Sequence, residues 1–398
     1  MVVVDLSEGV AGPYCTKILA DFGARVIKVE PPSGDWARGL GPYREDRADP
    51  EAGGMFLHLN TNKEGIVVDL ESDEGAGLVR DLALKADVLV ESFRPGRLRE
   101  LGLGASDLLG SKPELVVTSV TPFGQTGPYR DFEMTEIVAF AMGGPMNASG
   151  VPEREPVKLL GNLVHMQAGN TACTATLGAL YLALETGRGQ AVDVAVFETQ
   201  NGSTDRRRYY HLAHQYTGTV SRRAAVVGDA RVAPGGRFVA GDGGLVTTGR
   251  IWPDHLARMV AVVGDPEVDS LFRRGGAGAL AEAGEIANAA IARWVGARTA
   301  RQAMREAQAG GWPVVVVNDP RSLLSDDHLE VRGFWVSADH PVAGPVVHAG
   351  PPWRIGGGGW ELHRTAPLLG QDTDRVLAEV VGYGDERVAR LRADGVVR

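Results

Sequence analysis

Short β-branched runs alternate with helix-like stretches through the N-terminal half of this chain. "MVVVDL" opens as a buried strand ended by Asp5. A glycine-bearing turn, "SEGVAGPY", leads into the helix-like "CTKILADFGA", with Gly23 as its stop signal. "RVIKVE" is a second strand. The alternation continues through "GIVVDL", the helix-like "DEGAGLVRDLALKA" with its dipole-matching early acids, "DVLVES" and "LVVTSV". "GQAVDVAVFET" is another strand that hands over to a helix. Such alternation predicts an α/β fold, with helices on both faces of a parallel sheet.

Between these strands lies "KLLGNLVHMQAGNTACTATLGALYLAL", a loop running into a long apolar helix. The helix entry offers Asn162 and His165 but no acid. The chain has 398 residues, which predicts two domains rather than one core. Residues 200–225, rich in Arg, Tyr and His, read as an exposed connector. "GGRFVAGDGGLVTTGR" reads as two short strands around the turn Asp242-Gly243-Gly244. A small α+β module follows, with helices expected at 253–263 and 277–309 and a strand in "PVVVVN". "GGGGW", Gly356 to Trp360, reads as a flexible loop, and the final thirty residues as one or two surface helices.

Charge and cysteine content narrow the function classes. The formal net charge of −9 argues against nucleic acid as the main partner, while leaving room for a local basic pocket. Two cysteines, Cys15 and Cys173, fit a reducing cytoplasm rather than a disulfide framework. The opening segment is apolar for only a few residues before Asp5 and Glu8, so neither a signal peptide nor a membrane span is expected. No metal is expected, because the nine histidines are scattered and neither H-E-x-x-H nor C-x-x-C occurs. The "SEGVAGP" turn lacks G-x-G-x-x-G, which argues against a nicotinamide cofactor. Its Gly12-Pro13 step can still bring backbone N–H groups to a phosphate. "ESFRPGRLRELGLG" places Arg94, Arg97 and Arg99 just past a strand end, where open parallel sheets bind ligands. Arg38 and Lys63 are further isolated cations.

Several segments, in order along nearly the whole chain, resemble the family III CoA transferases, also called the CaiB/BaiF family. They are "VVDLSEGVAGPYCTKILADFGARVIKVEPPSGDWAR", "NTNKEGIVVDLES", "DVLVESFRPGRLRELGLG", "SVTPFGQTGPYRD", "GRGQAVDVAVFE" and "APLLGQDTDRVLAE". The resemblance implies a large Rossmann-like domain built from both chain ends, 1–200 and 345–398. It implies a small α+β domain at 225–330, linkers at 201–224 and 331–344, and an interlocked homodimer. The implied substrates are a small carboxylate and its coenzyme A thioester. A ligand cleft is expected at the C-terminal ends of the parallel strands, lined by Val10, Ala11, Ser92, Phe93 and Arg94, with Arg38, Lys63 and Arg99 as phosphate partners.

In that family the transferases use an Asp as nucleophile, and the racemases pair the matching Asp with a His. Here His165 or Asn162 takes the place of the Asp, depending on which glycine anchors the comparison. An Asn cannot form the acyl anhydride, whereas a His can serve as base or acid. The racemase His falls near Met134. An acid next to the transferase's active-site Tyr is matched by Glu136, with Thr135 in place of the Tyr. Pro31, Glu71 and Glu100 stand where the family has cations, and Ser92 where it has Asn. "GGGGW" is not the family's cover loop. Three readings follow: CoA transfer with Glu136 or Glu198 as a substitute carboxylate, His165 acid–base chemistry on the same scaffold (isomerisation, elimination or condensation), or a non-catalytic subunit beside an active paralogue.

Overall fold

Six short strands pair side by side in one parallel sheet, in the order β3-β2-β1-β4-β5-β6. They are β1 (Val2–Asp5), β2 (Arg25–Glu30), β3 (Lys63–Val67), β4 (Val88–Glu91), β5 (Val116–Thr121) and β6 (Ala191–Ala195). The computed structural model describes residues 1–202, 205–220, 223, 234–248, 253–356 and 359–398. Parts of the expected connector, the first residues of the expected small domain and Gly357-Gly358 of "GGGGW" lie outside the described residues.

The described residues form two compact units: Met1–Ser149, Pro156–Arg222 and Gly333–Arg398 make the first, and Gly150–Glu155 and Arg223–Arg332 the second. In the first unit, β1 leads to α1 (Ala11–Asp21), and Gly23 at φ +92° ends the turn beyond it. Helix α2 (Gly54–Leu59) precedes β3, and α3 (Asp73–Ala83) follows it. Ser72 starts α3 by accepting from the Gly75 N–H, with Asp73 and Glu74 against the positive end of the dipole. Helices α4 (Arg97–Glu100) and α5 (Ala105–Ser111) join β4 to β5. Helix α6 (Glu136–Met142) and the 24-residue α7 (Leu163–Thr186) lie between β5 and β6. Helix α8 (Val196–Gly202) follows β6, and α9 (Asp205–Thr217) occupies part of the stretch read from sequence as a connector.

Two apolar clusters bury the sheet, one on each face. Val4, Ile27, Leu89 and Val117 pack with α3, and Val3, Val26, Val90 and Val116 pack with α1 and α7. Helices α1 and α7 approach closely at Gly169, where a Cβ would come within 2.5 Å of the Ala11 carbonyl oxygen. The C-terminal segment returns to the far edge of the sheet. The Asp372 carboxylate accepts from the Gly65 N–H of β3, and Val397 bridges Val68. Trp335–His340 and Gly344–Ala349 form an antiparallel hairpin that the sequence reading did not contain.

The second unit holds a three-stranded antiparallel sheet of β7 (Gly236–Val239), β8 (Leu245–Thr248) and β9 (Val314–Val316). Its longer helices are α10 (Pro253–Val263), α11 (Pro266–Glu282), α12 (Gly284–Gly296) and α13 (Ala300–Ala309), and two short ones, Pro320–Leu324 and Asp327–Val331, follow β9. The continuous helix expected over 277–309 is therefore three segments. Gly284 opens α12, and Thr299 starts α13 with a reciprocal capping box to Gln302.

Candidate active site

The turn after β1 is held from below by buried charges. Asp5 accepts hydrogen bonds from the Ser7 N–H at 3.0 Å, from Thr16 at 2.6 Å and from Lys63 Nζ at 3.0 Å. Burial pushes the Asp5 carboxyl up, but the Lys63 and Lys28 charges outweigh it and hold the group at about 2. Lys28 Nζ donates to the Ser7 carbonyl and, at 2.7 Å, to Asp35. Asp35 in turn accepts from the Gly9 N–H at 2.9 Å. Gly9 sits at φ +80°, and a Cβ there would overlap the Trp36 indole, so the turn needs glycine.

This arrangement corrects two sequence expectations. Lys63 is fully buried and donates to Asp5, Thr16, Asn60 and the Pro13 carbonyl. Arg38 is buried too, forked onto Glu30 at 2.7 and 2.8 Å and onto Glu51 at 2.7 Å. Both cations are occupied by interior acids, as a charge removed from water requires, and neither faces the cavity as a phosphate partner.

Above the turn is a cavity of about 320 Å³, lined by residues that follow β1, β4, β5 and β6 and by the start of α7. It lies where the sheet order reverses between β1 and β4, the usual ligand crevice of an open parallel sheet. Val10, Ala11, Ser92, Phe93 and His165 all line it. Ser92 Oγ accepts from the Glu8 N–H at 2.9 Å, which ties the β4 loop to the β1 loop. Glu8, Trp36, Glu133 and Met134 also line the cavity. Glu8, Trp36 and Glu133 were not named as site residues from sequence, although Glu8 and Trp36 lie in the "SEGVAGP" and "GDWAR" motifs. Burial and the Asp35 charge raise the Glu8 carboxyl, against the pull of Lys28.

Glu136 finishes the start of α7. Its Oε1 accepts from the Val164 N–H at 2.9 Å, and its Oε2 accepts from the His165 N–H at 3.3 Å. The same Oε2 lies 2.5 Å from His165 Nδ1. Asn162 occupies the N-cap position but its side chain makes no capping bond. Burial raises the Glu136 carboxyl, and the bonds from His165 and Val164 bring it below its ordinary value. With Nδ1 engaged, the Nε2 of His165 is the ring nitrogen left for a bound molecule. Glu198 is exposed on α8 and does not line the cavity.

Arg94 and Arg99 line a different cavity, also about 320 Å³, together with Glu91, Arg130 and Asp193. Arg94 Nη2 lies 2.5 Å from Glu100 at the surface. Burial pushes the Glu91 carboxyl up to about 7, against hydrogen bonds from Ser119 and the Phe93 N–H. No metal-binding group of three or more His, Cys, Asp or Glu side chains occurs among the described residues. Among those residues, no helix is long and apolar enough to cross a membrane.

A six-stranded parallel sheet flanked by helices, with a cavity at the switch point of its strand order, defines an α/β protein. The chain belongs to CoA-transferase family III, whose profile matches residues 1–373. It is 32% identical over 399 residues to a succinyl-CoA–D-citramalate CoA-transferase of Chloroflexus aurantiacus, covering 99% of this chain and 96% of that one. It is 31% identical to a succinyl-CoA:(R)-benzylsuccinate CoA-transferase subunit of Thauera aromatica, covering 99% and 97%. The crystal structure of a CaiB/BaiF family protein from Brucella suis superposes with a TM-score of 0.83 at 26% identity, covering 96% of this chain and 98% of that one.

Proposed function

We propose that this chain acts on the coenzyme A thioester of a small carboxylic acid by proton transfer at the carbon next to the thioester carbonyl. The observation that carries this reading is the 2.5 Å contact of His165 Nδ1 with Glu136, in a helix entry that offers no Asp. Glu136 holds the Nδ1–H tautomer, so Nε2 presents its lone pair. Nε2 takes the α-proton, the C–H electron pair moves onto the thioester oxygen, and Glu136 stabilises the imidazolium. Return of the proton from Nε2 to carbon completes the exchange. Such acid–base action contributes roughly 10²–10⁴-fold in rate. The bonds from His165 and two backbone N–H groups occupy the carboxylate and lower its basicity, which disfavours it as a nucleophile.

The test is incorporation of deuterium from D₂O at the α-carbon of a short acyl-CoA, with intact-mass analysis of the protein. His165→Ala should lose most of the exchange, and no acyl or CoA adduct should accumulate. A hydroxylamine-sensitive adduct on Glu136 or Glu198, or full exchange in His165→Ala, would sink the reading.

One observation favours a second reading. Glu136 brings a carboxylate to the N-terminus of α7, and the named relatives are CoA-transferases. Glu136 would then attack the thioester carbonyl and expel CoA thiolate, giving an anhydride. The thiolate would next attack the Glu136 carbonyl and release the acid, and the resulting enzyme thioester would pass CoA to the second acid. The adduct measurement separates the two readings.

We also propose a homodimer. Tyr181 and Leu184 on α7 are 68% and 77% exposed in the single chain, an apolar surface suited to a second copy. A solution mass near 42.2 kDa rather than twice that would oppose it.

A further inference from the structure

The cavity's lining carries a selection rule for the acyl group. Around His165 stand Val10, Trp36, Met134 and Val196, an apolar wall, and the acids Glu8 and Glu133. Among the described residues that line it there is no lysine or arginine. Arg94, next to Phe93, and Arg130, three residues before Glu133, line the other cavity instead, and Arg94 meets Glu100 there. Arg38 is forked onto Glu30 and Glu51, and Lys28 is held by Asp35 and the Ser7 carbonyl in the interior. A carboxylate moved from water into such a wall loses hydration and meets like charge, with no guanidinium or ammonium to replace the lost water. An alkyl chain meets surface that prefers it to water.

We propose that the acyl group handled in this cavity carries no second carboxylate and is a short, uncharged alkyl chain. The proposal rests on the reading that the cavity takes an acyl-CoA, but not on which reaction follows.

Butyryl-CoA and succinyl-CoA form a matched pair. Their acyl chains have equal length and differ by a terminal methyl against a terminal carboxylate. Titration calorimetry on the full chain should show butyryl-CoA binding at least tenfold more tightly, which is about 1.4 kcal/mol. The variant Glu133→Lys changes an exposed side chain and replaces one acid of the wall by a cation. It should raise succinyl-CoA affinity more than butyryl-CoA affinity, narrowing the gap. Equal or tighter binding of succinyl-CoA overturns the proposal, as does a gap unchanged in Glu133→Lys. Failure of both thioesters to bind overturns it together with the acyl-CoA reading. Deuterium exchange on the same samples keeps the two apart. Preferred butyryl-CoA binding without exchange sinks the reaction and keeps the acyl class. Exchange with a preference for succinyl-CoA does the reverse.

Discussion

Helices α1 and α7 both begin at the cavity, through Val10, Ala11 and Gly12 in one case and His165 in the other, and their ends are finished differently. The start of α1 has no side-chain cap, and its support comes from beneath: Lys63 donates to the Pro13 carbonyl and to Thr16. The start of α7 is closed by a carboxylate reaching in from α6. At α7, the field of the helix dipole is already answered by Glu136. At α1 it remains turned toward the ligand space. In the proposed reaction, negative charge developing on the thioester oxygen is better served by α1, and the proton by the residue on α7. One helix start is thus suited to hold charge and the other to fix a base.

The two helix starts should differ most when the support of α1 is removed. Lys63→Met leaves Asp5 buried beside only the more distant Lys28 charge. Urea unfolding should show a loss of about 3–5 kcal/mol. An unchanged midpoint would mean that the buried pair does not hold α1. A smaller effect sharpens the contrast from the other side. Glu136→Gln keeps an oxygen for the α7 N–H groups but loses the charge that orients His165. Exchange should fall about 10–100-fold, with unfolding free energy changed by less than about 1 kcal/mol. A variant that unfolds instead would make Glu136 a structural cap and nothing more. The smallest effect lies in pH dependence. The Glu136 carboxyl is depressed in the folded chain, so its contribution is present above its unfolded pKa and lost as pH falls through the folded one. The stability difference between the native chain and Glu136→Gln should therefore shrink on acidification through the carboxylate range. A difference that grows on acidification would reverse the assigned sign.

The six parallel strands were legible because each is a β-branched run with its own turn signal, and the stop at Gly23 is local chemistry. Strand order was not, since no residue in β1 states that it pairs with both β2 and β4. The hairpin at 335–349 is hidden in the sequence because its alternation is diluted by His, Asp, Pro and Gly. At the site, His165 and Glu136 stood out by position in their motifs, but their 2.5 Å contact depends on α6 folding against α7. Arg38 and Lys63 looked like free cations because their acids are not adjacent in sequence. Glu30 lies 8 residues from Arg38, and Asp5 lies 58 from Lys63. Isolated charge in a sequence does not distinguish a ligand contact from an interior pair.

The return of the C-terminus to the sheet edge has a consequence for synthesis. The Asp372 carboxylate that accepts from Gly65 lies 307 residues downstream. At about 5–20 residues per second, β3 emerges from the ribosome roughly 15–60 s before that partner exists. Throughout that interval the nascent chain holds an unfinished strand edge next to the turn that will carry the cavity. This edge can be matched by the wrong segment or by a neighbouring nascent chain. The first unit is thus completed only once its last segment has been made, and a truncation before Arg364 should leave a chain that needs holding by chaperones.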